Sequence, residues 1–139
     1  MGAALALLCI RRMPFRCLLS LAFVAGCTSP NVSGTWLTIH GSEACRTYTT
    51  RAIDWMELSI ENQADRDDEQ TLEYECDEGW FDLYLPPGSY WMSVAAITTS
   101  YDQDLDWTIE HLAGSSPAIG VVVGDGDVVV APFLVDVGR

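Results

Sequence analysis

Two imidazoles, His40 and His111, are the side chains of this 139-residue chain best suited to move a proton near neutral pH. No Gly-x-Ser-x-Gly turn accompanies them, so no nucleophile elbow offers a partner. They are expected to be polar residues at strand edges, and no catalytic residue is assigned. All seven basic residues are Arg, so Schiff-base chemistry, P-loop phosphate binding and a lysine nucleophile are excluded. Asp102, Asp104 and Asp106 alternate as the ligands of a calcium loop do. Trp107, however, stands where such a loop needs Gly, and Ala113 where it needs Glu. An acidic turn is expected there, with no metal and no cofactor. Asp65, Asp67, Asp68 and Glu69 read as a solvated charge run, and Asp125 and Asp127 as turn residues. Twenty carboxylates always contain pairs, but a domain this small leaves little room for a glycosidase cleft.

The five cysteines have different expected fates. Arg11, Arg12 and Arg16 precede an apolar run, Cys17 to Gly26, of signal-peptide length and too short for a permanent span. Met1 to Ile10 is a second apolar run, and Met13 is a candidate true start. The first run ends in Val24-Ala25-Gly26-Cys27, followed by polar Thr28-Ser29-Pro30. This setting resembles the lipobox of bacterial lipoproteins. The resemblance implies a signal peptide over 1–26, lipid on Cys27 and a short tether over 27–32. It also implies a membrane partner through that anchor. Thr28 is not Asp, so the inner-membrane retention signal is missing and the outer membrane is the expected site, on its periplasmic or outer side. Cys9 and Cys17 would leave with the signal. Cys45 and Cys76 remain as an even pair in an oxidising compartment and are expected to form one disulfide. Zinc would need more ligands at closer spacing.

Loss of the signal removes three Arg and no acid, taking the net charge from −13 to −16. That charge excludes nucleic acid as a partner, because phosphates need cations to neutralise them.

These residues must be positioned by β-structure. After the leader the chain divides into short runs separated by turn signals, at the spacing of a β-sandwich over 33–139. The runs are 34–40, 51–60, 71–76, 80–85, 90–98, 105–111, 118–123 and 128–137. Met56, Leu58 and Ile60 alternate against Trp55, Glu57 and Ser59. Phe81, Leu83 and Leu85 alternate against Trp80, Asp82 and Tyr84. Leu105, Trp107 and Ile109 alternate against Asp106, Thr108 and Glu110. Residues 61–70 read as a loop. Gly124 to Asp127 reads as a hairpin turn. Pro86-Pro87-Gly88-Ser89 reads as a tight turn in which Gly88 takes a positive φ. That turn would place Leu85 opposite Tyr90 and Tyr84 opposite Trp91.

The segment 79–94, with its Gly-x-Phe-x-Leu…Pro-Gly-x-Tyr-x-x-x-Val spacing, resembles carboxypeptidase-regulatory-like, or prealbumin-like, β-sandwich domains. The resemblance implies an all-β sandwich of seven or eight antiparallel strands. The acidic insertion and the Cys pair depart from that pattern. Related adhesin repeats use a Lys–Asn isopeptide staple, which a chain without Lys cannot form.

The expected function is a non-catalytic, lipid-anchored envelope module that binds a partner or serves a structural role. The alternative is a carbohydrate-binding module. Its candidate ligand face is Trp80, Tyr84 and Trp91, joined by Trp55, with Asp82 near enough to bond sugar hydroxyls. The partner would then be an envelope protein or a glycan.

Overall fold

The computed structural model describes residues 29–138. The leader, Cys27 and the start of the tether lie outside the described residues. Nine strands and one short 3-10 turn make up the described secondary structure. They run β1 (Asn31–Ile39), β2 (Trp55–Asn62), β3 (Asp65–Tyr74), the turn at Cys76–Glu78, β4 (Trp80–Tyr84) and β5 (Gly88–Asp102). After them come β6 (Trp107–Ser115), β7 (Ile119–Val123), β8 (Val128–Val129) and β9 (Phe133–Asp136).

These strands form one curled, mixed sheet in the order β3-β2-β5-β6-β9-β1-β4, with β7 on β5 and β8 on β1. The all-β class agrees with the sequence reading. The strand count and the wholly antiparallel pairing do not, because β1 runs parallel to both β8 and β9. β1 changes partners along its length. Its first half pairs with β4 through Asn31–Tyr84, Ser33–Asp82 and Thr35–Trp80. Its second half pairs with β9 from Trp36–Phe133 to Ile39–Asp136. This switch curls the sheet around its apolar side.

The period-2 pattern decides which residues fill that side. Val32 and Trp36 of β1, Met56, Leu58 and Ile60 of β2, and Phe81 of β4 are buried together with Met92 and Val94 of β5 and Phe133 and Val135 of β9. Trp36 and Phe81 stack with centroids 6.5 Å apart, and Phe81 meets Phe133 at 6.1 Å. The Trp36 indole N–H donates to the Cys76 carbonyl at 3.2 Å, which satisfies the polar edge of a buried ring. Cys45 and Cys76 form the expected disulfide, with Cα atoms 5.8 Å apart. It ties the loop between β1 and β2 to the 3-10 turn.

Several local expectations are corrected. Residues 61–70 are not a loop: β2 and β3 pair from Met56–Tyr74 to Glu61–Glu69, and only Gln63 and Ala64 turn. The Asn62 side-chain oxygen accepts from the Ala64 amide at 2.9 Å and holds that turn. β3 is an edge strand, where a charged row is tolerated because it remains in water and discourages pairing with another chain.

The segment 79–94 is not a hairpin. β4 pairs with β1, while β5 pairs with β2 and β7, so Pro86 and Pro87 cross between the two halves of the sheet. Neither proline has an N–H to close a ladder. The Leu85 amide donates instead to the Pro30 carbonyl. Gly88 does not take the expected positive φ; Gly79 is the glycine that does. Gly88 is small for a different reason. A Cβ there would lie 3.3 Å from the Tyr90 hydroxyl oxygen, and that hydroxyl donates back to the Pro86 carbonyl at 2.7 Å. Gly124 to Asp127 likewise joins strands that do not pair with each other, since β7 lies on β5 and β8 on β1.

Candidate functional site

Alternation sends Phe81 and Leu85 inward and Trp80, Asp82 and Tyr84 outward. Trp80 is 57% exposed and Tyr84 66%. Tyr84 stands four positions along the strand from Trp80, about 13 Å between backbone positions at the usual rise. The Asp82 carboxylate stands on the same face between them. Behind this row the adjacent strand β1 presents Asn31 beside Tyr84, Ser33 beside Asp82 and Thr35 beside Trp80. Beyond Ser33 lies exposed Val129 of β8. The result is an open platform with two flat apolar rings, one carboxylate and short amide and hydroxyl side chains. The run 34–40 was legible as a strand, but β1 begins at Asn31, inside the expected tether, and neither that start nor the pairing to β4 was foreseen, so Asn31, Ser33 and Thr35 were missed.

Trp91 does not join that platform. It is 45% exposed on β5, in a row with Glu61 of β2 and Gly120 of β7. A Cβ on Gly120 would meet the Trp91 ring at 3.3 Å, so the ring lies against a bare stretch of backbone. Trp55 shares this second face, because Trp55, Glu57, Ser59 and Glu61 alternate outward against buried Met56, Leu58 and Ile60. Along β5, Trp55 sits opposite Ile97, six residues from Trp91. The inner faces of both halves pack on one core, so their outer faces point away from each other. The four expected aromatics thus divide into two pairs, Trp80 with Tyr84 and Trp55 with Trp91.

A shallow cleft of about 410 Å³ opens beside Trp55, lined also by Asp54, Glu73, Tyr74, Glu75 and Glu78. The Trp55 indole N–H is covered and has no acceptor. Burial pushes the Tyr74 phenol above its usual 10, and the nearby Glu78 and Asp82 carboxylates push it the same way.

The remaining candidate residues serve local structure. One Asp102 carboxylate oxygen accepts from the amides of Asp104 and Leu105, at 2.9 and 3.2 Å, and holds the β5–β6 turn. Among the described residues no three His, Cys, Asp or Glu side chains gather as metal ligands would. Leu105, Trp107 and Ile109 were expected to share one face of a strand over 105–111, but β6 begins at Trp107, Leu105 lies in the turn before it, and Leu105 and Trp107 are 59% and 60% exposed. β5 continues to Asp102, which pairs with Trp107 at the tip of this hairpin. His40 Nδ1 lies 3.0 Å from Asp136, and His111 Nε2 lies 2.7 Å from the Ser100 hydroxyl, all at exposed positions. No described carboxylate orients the other nitrogen of His111. The Ser100–His111 contact therefore lacks the third member that a nucleophilic triad needs.

No protein-family profile and no curated protein matches the chain. Solved structures similar to it include a candidate polysaccharide-binding protein of Bacteroides thetaiotaomicron, at 11% identity and a TM-score of 0.46. The match covers 76% of this chain but 46% of that one, so this chain spans less than half of its length. A candidate carbohydrate-binding protein of Pseudomonas aeruginosa matches at 15% identity and a TM-score of 0.42, over 78% of this chain and 88% of that one. A 9R-lipoxygenase of Cyanothece matches at 13% identity and a TM-score of 0.38, over 77% of this chain and 16% of that one.

Proposed function

We propose that this chain is a non-catalytic, lipid-anchored module of the cell envelope that binds an extended glycan on the Trp80–Asp82–Tyr84 face. The observation that carries the reading is the exposure of two aromatic rings on one face of a strand, with a carboxylate between them. Flat rings stack on the apolar faces of pyranoses, while Asp82 and Ser33 offer hydrogen bonds to hydroxyls. The rings are too far apart to sit on one sugar, so the ligand is a linear oligosaccharide spanning both. The open platform suits binding rather than turnover, because nothing encloses a bond to be cleaved. The anchor reading is supported by the Val24-Ala25-Gly26-Cys27 box and by a disulfide, which requires an oxidising compartment. On the same reading the module belongs at the outer membrane, because Thr28 stands where the inner-membrane retention signal has Asp. The fold is read as a relative of the prealbumin-like domains, with the Pro86-Pro87 segment as its crossover.

A glycan array probed with the mature chain, and with Trp80→Ala and Tyr84→Ala variants, tests the binding. Wild-type protein is expected to bind a subset of linear glycans, with each variant losing the signal while keeping its melting behaviour. Equal binding by all three proteins would refute the face. Metabolic labelling with a fatty-acid analogue tests the anchor separately: Cys27→Ser should abolish both label and membrane attachment.

A further inference from the structure

The outer face of β2, β3, β5 and β7 has an unusual charge arrangement. Glu57 of β2 stands directly opposite Glu73 of β3, and Glu61 opposite Glu69. Like charges facing each other across strands destabilise a sheet. The only described cation within ion-pair distance of these four acids is Arg66, whose Nε lies 3.9 Å from Glu61. Charges on the edge strand discourage pairing with another chain, but that role does not require acids directly opposite them on β2, and the opposition occurs twice on one face. At one end of the face, Trp91 continues the Glu69–Glu61 row and lies over Gly120, with its outer side in solvent. At the other end is the acidic cleft beside Trp55, whose indole N–H lacks an acceptor.

We propose that this face docks an extended, arginine- or lysine-bearing segment of a partner protein. A guanidinium stacked on Trp91 would gain cation–π attraction and meet Glu61, the residue directly beside it. A second cation two rows along would sit between Glu57 and Glu73 and relieve their repulsion. In an extended peptide, alternate side chains repeat every two residues, which is also the row spacing of the sheet beneath. A backbone carbonyl of the same segment would give the Trp55 N–H its acceptor once the flexible glutamates at the cleft rim swing aside. A bare metal ion supplies neither the stacking nor the acceptor, and a neutral glycan does not answer the charge. This face points away from the Trp80–Tyr84 platform, so the two can be occupied together and the protein can link a basic partner to a glycan. The proposal does not depend on the glycan reading.

The test is titration of the mature protein with the capped peptide acetyl-Arg-Gly-Arg-Gly-Arg-Gly-amide in 0.15 M salt, followed by tryptophan fluorescence. Salt at this level screens diffuse attraction by the acidic chain beyond about 8 Å. Glu57→Gln/Glu73→Gln should weaken binding about fivefold, the scale of two exposed ion pairs. Trp91→Leu keeps an apolar cover over Gly120 but removes the indole, and should weaken binding by a similar factor. The control Asp104→Asn/Asp125→Asn makes the same change in net charge elsewhere and should weaken binding less than about twofold. Equal losses in the face variant and the control overturn the proposal, as does absence of binding by wild-type protein. Calcium chloride that displaces the peptide at matched ionic strength, with the same dependence on Glu57 and Glu73, also overturns it in favour of a metal site.

Discussion

Replacing Gly34 with alanine drives a methyl group into the ring of Phe81. The new Cβ would lie 2.5 Å from Phe81 Cζ and 2.6 Å from Cε1. Carbon atoms in good contact sit about 3.5–4.0 Å apart, so the ring must retreat by about 1 Å. It has nowhere to go, because Phe81 is fully buried with Trp36 stacked on one side and Phe133 against another. Gly34 has no positive φ, so the penalty is steric and not conformational. Overpacking a close-packed core costs about 1–3 kcal/mol, and an unyielding aromatic neighbour places this site at the upper end. The reduced freedom of the unfolded chain returns about 0.5 kcal/mol. A net loss of about 2.5 kcal/mol corresponds to a melting temperature lower by about 10 °C or more. Phe81→Leu removes the two colliding ring atoms at a smaller cost. Urea unfolding of both single variants and the double variant forms a cycle, and the double variant should be more stable than the sum by at least about 1 kcal/mol. β4 carries Trp80 and Tyr84, so Gly34→Ala should also weaken glycan capture, and Phe81→Leu should partly restore it. A Gly34→Ala variant as stable as wild type, or strict additivity in the cycle, would show that the Gly34–Phe81 contact does not seat β4.

The disulfide closes a loop of 31 residues, so on the chain-entropy account Cys45→Ser/Cys76→Ser should lose about 3.5 kcal/mol in denaturant melts. Mass spectrometry of a non-reduced digest of wild-type protein should show the two peptides linked, whereas two free thiols would remove the basis for that loss. Folding raises the Tyr74 phenol above its unfolded value near 10, with burial as the main cause. Its contribution to stability is therefore complete below about pH 10 and is lost as pH rises through the higher folded value. Burial also raises Tyr90, and the hydrogen bond to Asp106 raises Tyr101. Tyrosinate absorbance should therefore show several late-titrating phenols, one fewer in Tyr74→Phe, and a curve unchanged by that substitution would contradict the assignment.

The division of β2 and β4 into an inner and an outer face was legible residue by residue. Trp80, Asp82 and Tyr84 face outward, and Met56, Leu58 and Ile60 inward, because the two-residue period is a local property of extended backbone. The pairing of Cys45 with Cys76 was legible too, since the lipobox resemblance sets Cys9 and Cys17 in a leader and lipid on Cys27, which leaves these two as an even pair. Tertiary structure alone decided which strands lie beside which. Tyr84 and Trp91 are seven residues apart and both outward, yet they belong to opposite faces of the molecule. Pro86 and Pro87 lack the amides that would close a hairpin between them, so the stiff pair carries the chain across the core instead. The Glu57–Glu73 and Glu61–Glu69 oppositions were hidden for the same reason. Residues 61–70 have the composition of a solvated loop, and only pairing with β2 makes that acidic run an edge strand. Strand pairing is settled by contacts distant in sequence and by how a shared core is filled, and alternation within a single strand carries neither.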